Sequence, residues 1–179
     1  MDHDFSIYWD NICQIYFLTK HYLLLAEELS EGFDTFIQPL KEERDAFDHI
    51  ARVYGHKYLT RKVDDINNYC ASNMRKAVQH VYRAFFDTAD FFSYVCQKQI
   101  REQLRDCGKT YGEIKKLYPR YDNAKSRLES LPLEITKIRE NKDESESDAE
   151  LVEEVLQYKK VLDEVYDIYL EINRIIPKT

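Results

Sequence analysis

Apolar positions recur at helical spacing along almost the whole chain. Residues 4–30 carry Phe5, Tyr8, Trp9, Ile12, Cys13, Tyr16, Leu23 and Ala26 in a wide i, i+3, i+4 stripe, the pattern of an amphipathic helix. Ser30-Glu31-Gly32 stops that helix, with Gly32 as a left-handed cap. A second helix runs from Phe33 to Val53, its regular part starting at Pro39, and Gly55 ends it. Thr60 is placed to cap a third helix, because no Gly or Pro occurs from there to Asp106. That segment reads as one helix of some 45 residues, about 65–70 Å long, closing at Gly108.

Residues 109–119 give mixed signals, with Gly112 and Pro119 marking a short helix or a turn. After Pro119 the pattern becomes heptad-like: Tyr121, Ala124, Leu128, Leu131, Ile135 and Ile138, interrupted by Pro132. Residues 140–150 carry Ala149 as their one apolar residue and read as a solvated acidic loop. Periodicity resumes at Leu151 and continues through Val155, Tyr158, Leu162, Val165, Tyr169, Ile172 and Ile176. Residues 119–179 therefore read as an αα-hairpin, structural or partner-binding, behind a bundle made by residues 1–118. The expected fold is all-α: one domain, 1–179, of about five helices with a long central helix.

Composition narrows the class. The chain has 4 glycines in 179 residues and no Asn-Gly or Asp-Gly pair, which removes the tight turns of all-β folds. Gly-rich phosphate loops are absent for the same reason. No stretch is apolar enough to span a membrane. The start, MDHDFSIYWD, is acidic and unlike a secretion signal. Cys13, Cys70, Cys96 and Cys107 form no CxxC pair and read as buried free thiols of a cytoplasmic protein.

Charge is segregated. Residues 1–60 hold 5 Lys and Arg against 11 Asp and Glu, residues 61–127 hold 14 against 8, and residues 128–179 hold 7 against 14. A basic middle between acidic flanks reads first as complementarity within the chain, and second as a surface for an anion such as RNA phosphate. The overall charge of −7 opposes strong non-specific nucleic-acid binding.

The most specific feature is a near-repeat. Arg44, Ala46, His49 and Arg52 match Arg75, Ala77, His80 and Arg83 at a shift of 31 residues. In a helix, residues five apart point about 140° away from each other, so Arg44 and His49 do not share a face. Arg44 is instead spaced to pair with Asp48, and His49 faces the same way as Asp45 and Arg52. If the two helices pack, His49, Arg52, His80 and Arg83 meet in one polar seam.

Arg44-x4-His49, with polar Asp45 directly after the arginine, resembles the Arg-x(4–6)-His motif of the HEPN superfamily, and the surrounding FIQPLKEERDAFDHIARVYGHKY is similar to stretches of small helical prokaryotic proteins. The resemblance implies an all-α bundle and, in many members, a metal-independent ribonuclease whose two motifs converge across a dimer; the chain is expected to be such a ribonuclease or a degenerate relative that only binds RNA. By this likeness His49 is the acid or base, Arg44 clamps phosphate and Asp45 orients one of them; the near-repeat adds Arg52, Arg75, His80 and Arg83 as a second tier of substrate contacts. The chemistry suits the residue types. An imidazole can take the 2′-hydroxyl proton near neutral pH, and a guanidinium matches charge developing on phosphate oxygens. Asp45 stands where active members commonly have Asn, which puts a negative charge beside the phosphate.

Other chemistries fit less well. Di-metal bundles need Glu-x-x-His motifs, and none occurs; the reading needs no metal and no cofactor. A Gly-x-Ser-x-Gly elbow is also missing. The competing function is a non-catalytic helical interaction protein. Tyr82, Phe85, Phe86, Phe91, Phe92, Tyr94 and Val95 can surround a helix. Either the other helices enclose them or a second copy does, and the expectation is a homodimer built near the motif helices.

Overall fold

The computed structural model describes residues 5–30, 36–58, 63–140 and 148–176. The described chain is all-α: α1 (Ser6–Leu29), α2 (Ile37–Tyr54), α3 (Ile66–Asp106), α4 (Tyr111–Leu117), α5 (Tyr121–Glu140) and α6 (Asp148–Ile175), with a single 3-10 turn at His56–Tyr58. No strand occurs among the described residues, and no helix in them is long and apolar enough to cross a membrane.

The central helix is α3, one uninterrupted run of 41 residues, about 60 Å long at 1.5 Å per residue. It begins later than Thr60 suggested. Asp65 is its cap, its carboxylate accepting from Asn68 N–H at 3.0 Å, which satisfies one of the orphan donors of the first turn. Thr60 and Gly32 lie outside the described residues. Gly108, with φ of 64°, ends the helix in the left-handed region that a side chain would strain.

Helices α1, α2 and α6 pack around α3, and α5 lies on α6. This arrangement settles the aromatic segment. Phe85 and Phe92 are 0% exposed. Tyr22 of α1 meets both rings, at 6.4 and 5.0 Å, while Tyr158 of α6 meets Phe85 and Phe86 at 6.3 and 5.5 Å. Phe91 stacks on Phe36 at 5.0 Å. Of the run, Tyr94 alone is exposed. The segment expected to call for a second copy is thus enclosed within one chain, each buried ring contributing roughly 1.5–3 kcal/mol.

Pro132 does not interrupt α5. An interior proline removes a hydrogen bond and costs ~3 kcal/mol in a free helix. Here fully buried Leu131, with half-buried Leu128, Ile135 and Ile138 on the same stripe, joins the core, and that packing holds the helix through the proline. The hairpin expected for 119–179 is present as α5 and α6. Helix α6 already begins at Asp148, inside the segment read as a loop, and residues 141–147 lie outside the described ones.

Of the four thiols, Cys70 and Cys96 are buried, Cys107 is half-buried and Cys13 is exposed. Cys13 departs from the expectation because its position on α1 falls off the face that packs on α3. Segregated charge is in part used internally: Glu42 pairs with Arg83, Glu171 with Arg120 and Glu164 with Arg127.

Candidate active site between α2 and α3

Helix α2 buries Pro39, Ala46 and Val53, a seven-residue repeat that turns one narrow stripe to α3. Phe36 meets Phe91, Glu42 meets His80 and Arg83, and His49 meets Asn73. Later residues of α2 meet earlier residues of α3, so the two helices run antiparallel. Ala77 and Ala84, both fully buried, share the face of α3 that carries Asn73 and His80.

The near-repeat is brought together by this packing. The imidazoles of His49 and His80 stack with centroids 5.2 Å apart and planes 25° apart. His49 Nδ1 lies 2.9 Å from Asn73 Oδ1, and Asn73 Nδ2 donates to the Tyr69 carbonyl at 2.8 Å. His80 Nδ1 lies 2.8 Å from Glu42 Oε2, which also accepts from Arg83 Nε at 2.9 Å. Arg83 Nη2 is 2.7 Å from His80 Nδ1. Nε2 of neither ring meets a hydrogen-bond partner among the described residues.

Electrostatics follow from these contacts. Burial alone raises the Glu42 carboxyl, but the hydrogen bonds and charges of His80 and Arg83 outweigh it and hold the group below its ordinary value. Asp45 is also held low, first by its hydrogen bond from Arg44 and then by the charges of Arg44, His80 and His49. Asp45 therefore sits close enough to both rings to feel them.

Not every expected residue joins the seam. Arg44 is exposed and pairs with Asp45 at 2.6 Å, not with Asp48, which pairs with Arg52 at 2.6 Å. Arg52 is thereby drawn away from the seam it was expected to enter, since an i, i+4 carboxylate on its own helix lies nearer than α3. Arg44 and His49 point apart, as the 140° offset requires. Arg75 is exposed and meets no ion-pair partner among the described residues.

Glu42 and Asn73 escaped the sequence reading. A signal was present. Glu42 stands seven residues before His49, and Asn73 seven before His80, so the two also match at the 31-residue shift. Each bonds the histidine of the other helix. The near-repeat thus forms a pseudo-two-fold crossing, with the stacked rings at its centre.

Among the described residues no three His, Cys, Asp or Glu are placed to share a metal ion. A cavity of about 660 Å³ lies elsewhere, on α5 and α6, between Arg120, Arg127, Glu164, Glu171 and Arg174. Its arginines Arg120 and Arg127 are already neutralised by glutamates, and none of the seam residues lines it. The histidine seam carries the denser chemistry. Fold and site together define the class: an all-α bundle with two cross-held histidines on adjacent antiparallel helices. No protein-family model, no curated protein and no solved structure matches the chain.

Proposed function

We propose that the chain is a HEPN-like, metal-independent endoribonuclease of the cytoplasm, with its site at the α2–α3 seam. The observation that carries the reading is the state of the two imidazoles. Both use Nδ1 on a partner from the opposite helix, and both leave Nε2 without one among the described residues. A ring held by Nδ1 and open at Nε2 is oriented for proton transfer to a bound group. Arg83 lies beside the rings with its Nε on Glu42, and Arg44 stands at the rim with Asp45.

The test is cleavage of a mixed RNA pool in EDTA. The wild type is expected to cut, leaving 2′,3′-cyclic phosphate ends, and His49→Ala is expected to lose at least about 100-fold. Equal activity or equal inactivity of the two proteins overturns the reading.

A homodimer that joins two Arg44 motifs needs a face other than 82–95. We place it on the flank of α2 that carries Arg44, where Ile37, Leu40 and Phe47 are exposed. Phe47→Asp is expected to leave sedimentation at 21.5 kDa, with the wild type heavier; a wild type of that mass at micromolar concentration removes the dimer.

One observation favours the second reading, a non-catalytic interaction protein. Glu42 engages His80 and Arg83 at once, as a network that fixes the register of two helices does. Under that reading His49→Ala changes stability and no RNA is cut.

A further inference from the structure

The two histidines have different partners, and the difference assigns them different protons. Asn73 donates its Nδ2 to the Tyr69 carbonyl, so the atom it turns to His49 is Oδ1. An amide oxygen only accepts, so His49 Nδ1 carries a proton and its lone pair is on Nε2. His80 Nδ1 faces a carboxylate oxygen of Glu42, which accepts and also carries a full negative charge. Two positive rings stacked at 5.2 Å repel, so the pair takes up its first extra proton on one ring. Glu42 directs it to His80.

The remaining charges around the rings are few. From α2, Asp45 acts on both rings, and Arg44 is held to Asp45. From α3, Arg83 shares the Glu42 oxygen with His80. When His80 gives up its Nε2 proton, its Nδ1–H still faces the Glu42 carboxylate, so the ring keeps a partner in both states and need not move.

We infer that His49 and His80 are a base–acid pair with fixed roles, His49 oriented by Asn73 and His80 by Glu42, acting on the phosphodiester of RNA. This rests on the ribonuclease reading. His49 Nε2 takes the proton of the 2′-hydroxyl as the 2′-oxygen bonds to phosphorus. The bond from phosphorus to the 5′-oxygen breaks, and His80 Nε2–H gives that oxygen its proton. One proton is taken and one given; a cyclic 2′,3′-phosphate and a 5′-hydroxyl leave, and water restores the rings. Asn73 and Glu42 are positioning residues.

The experiment is a nitrogen NMR spectrum of the imidazoles in the whole protein, alongside the kinetics of RNA cleavage. His49 is expected as the Nδ1–H tautomer, with its lone pair on Nε2. Glu42→Gln should lower kcat by roughly tenfold with KM little changed and be partly rescued by Glu42→Asp, while Asn73→Ala should let His49 sample both tautomers. His49 found as the Nε2–H tautomer, or cleavage surviving in His80→Ala, overturns the pair while the ribonuclease reading stands. The expected protonation with no RNA cut removes that reading, and the catalytic pair with it, and leaves the protonation assignment intact.

Discussion

Tyr158 of α6 donates its hydroxyl to Asp90 of α3 at 2.6 Å, from a ring that is fully buried between the two helices. Asp90 also meets Arg139 of α5 at 3.2 Å. One carboxylate therefore ties the hairpin to the central helix.

This contact fixes how the protein responds to alkali. Burial first, and then the Asp90 charge and hydrogen bond, push the Tyr158 hydroxyl well above its ordinary 10.0. Burial and Asp163 do the same to Tyr22. A raised folded value means stability that is complete below pH 10 and lost as pH rises beyond it. Absorbance at 295 nm should show Tyr22 and Tyr158 ionising only as the fold is lost. Tyr158→Phe should cost about 1–2 kcal/mol at neutral pH and make the alkaline loss less steep.

Glu42 sets the opposite dependence. Its carboxyl is held below the ordinary 4.5, so its contribution is present above that value and lost as pH falls through the lower folded value. Glu42→Gln is expected to destabilise by on the order of 1–3 kcal/mol at pH 7, since His80 and Arg83 lose a half-buried charged partner. Urea unfolding at pH 7 and at progressively lower pH checks this, the difference between the two proteins shrinking as pH falls below 4.5.

Packing of the aromatic segment within one chain has a direct consequence. Phe85→Ala should cost about 3–5 kcal/mol, and Tyr94→Ala should fall within about 0.5 kcal/mol of wild type. Thermal unfolding distinguishes them. A large loss at Tyr94 would mean that a second copy covers it.

Thiol reactivity should follow position. Burial pushes Cys96 up to about 12 and also raises Cys70, which withholds the reactive thiolate. An aromatic disulfide reagent is expected to modify Cys13 first and Cys107 more slowly, whose thiol donates to the Leu104 carbonyl at 3.1 Å. Cys70 and Cys96 should react only on unfolding.

What the sequence determined was the set of helices. The 3.6-residue period of apolar positions depends on neighbours along the chain, and it placed α1, α2, α5, α6 and most of α3. The paucity of glycine excluded sheets with tight turns. The 31-residue near-repeat was also legible, and with it His49 and His80. What only tertiary structure decided was each matter that turns on a second helix. Pro132 stays helical because Leu131 is buried, an energy that local propensity does not contain. The aromatic run 82–95 is closed by Tyr22 and Tyr158, which lie far away in sequence. Arg52 leaves the seam for Asp48, whereas Glu42 and Asn73 enter it, because antiparallel packing sets each opposite the other helix's histidine. Periodicity tells which way a side chain points; the partner it meets depends on the register between helices, and that is fixed by the packing of Ala46, Ala77 and their neighbours.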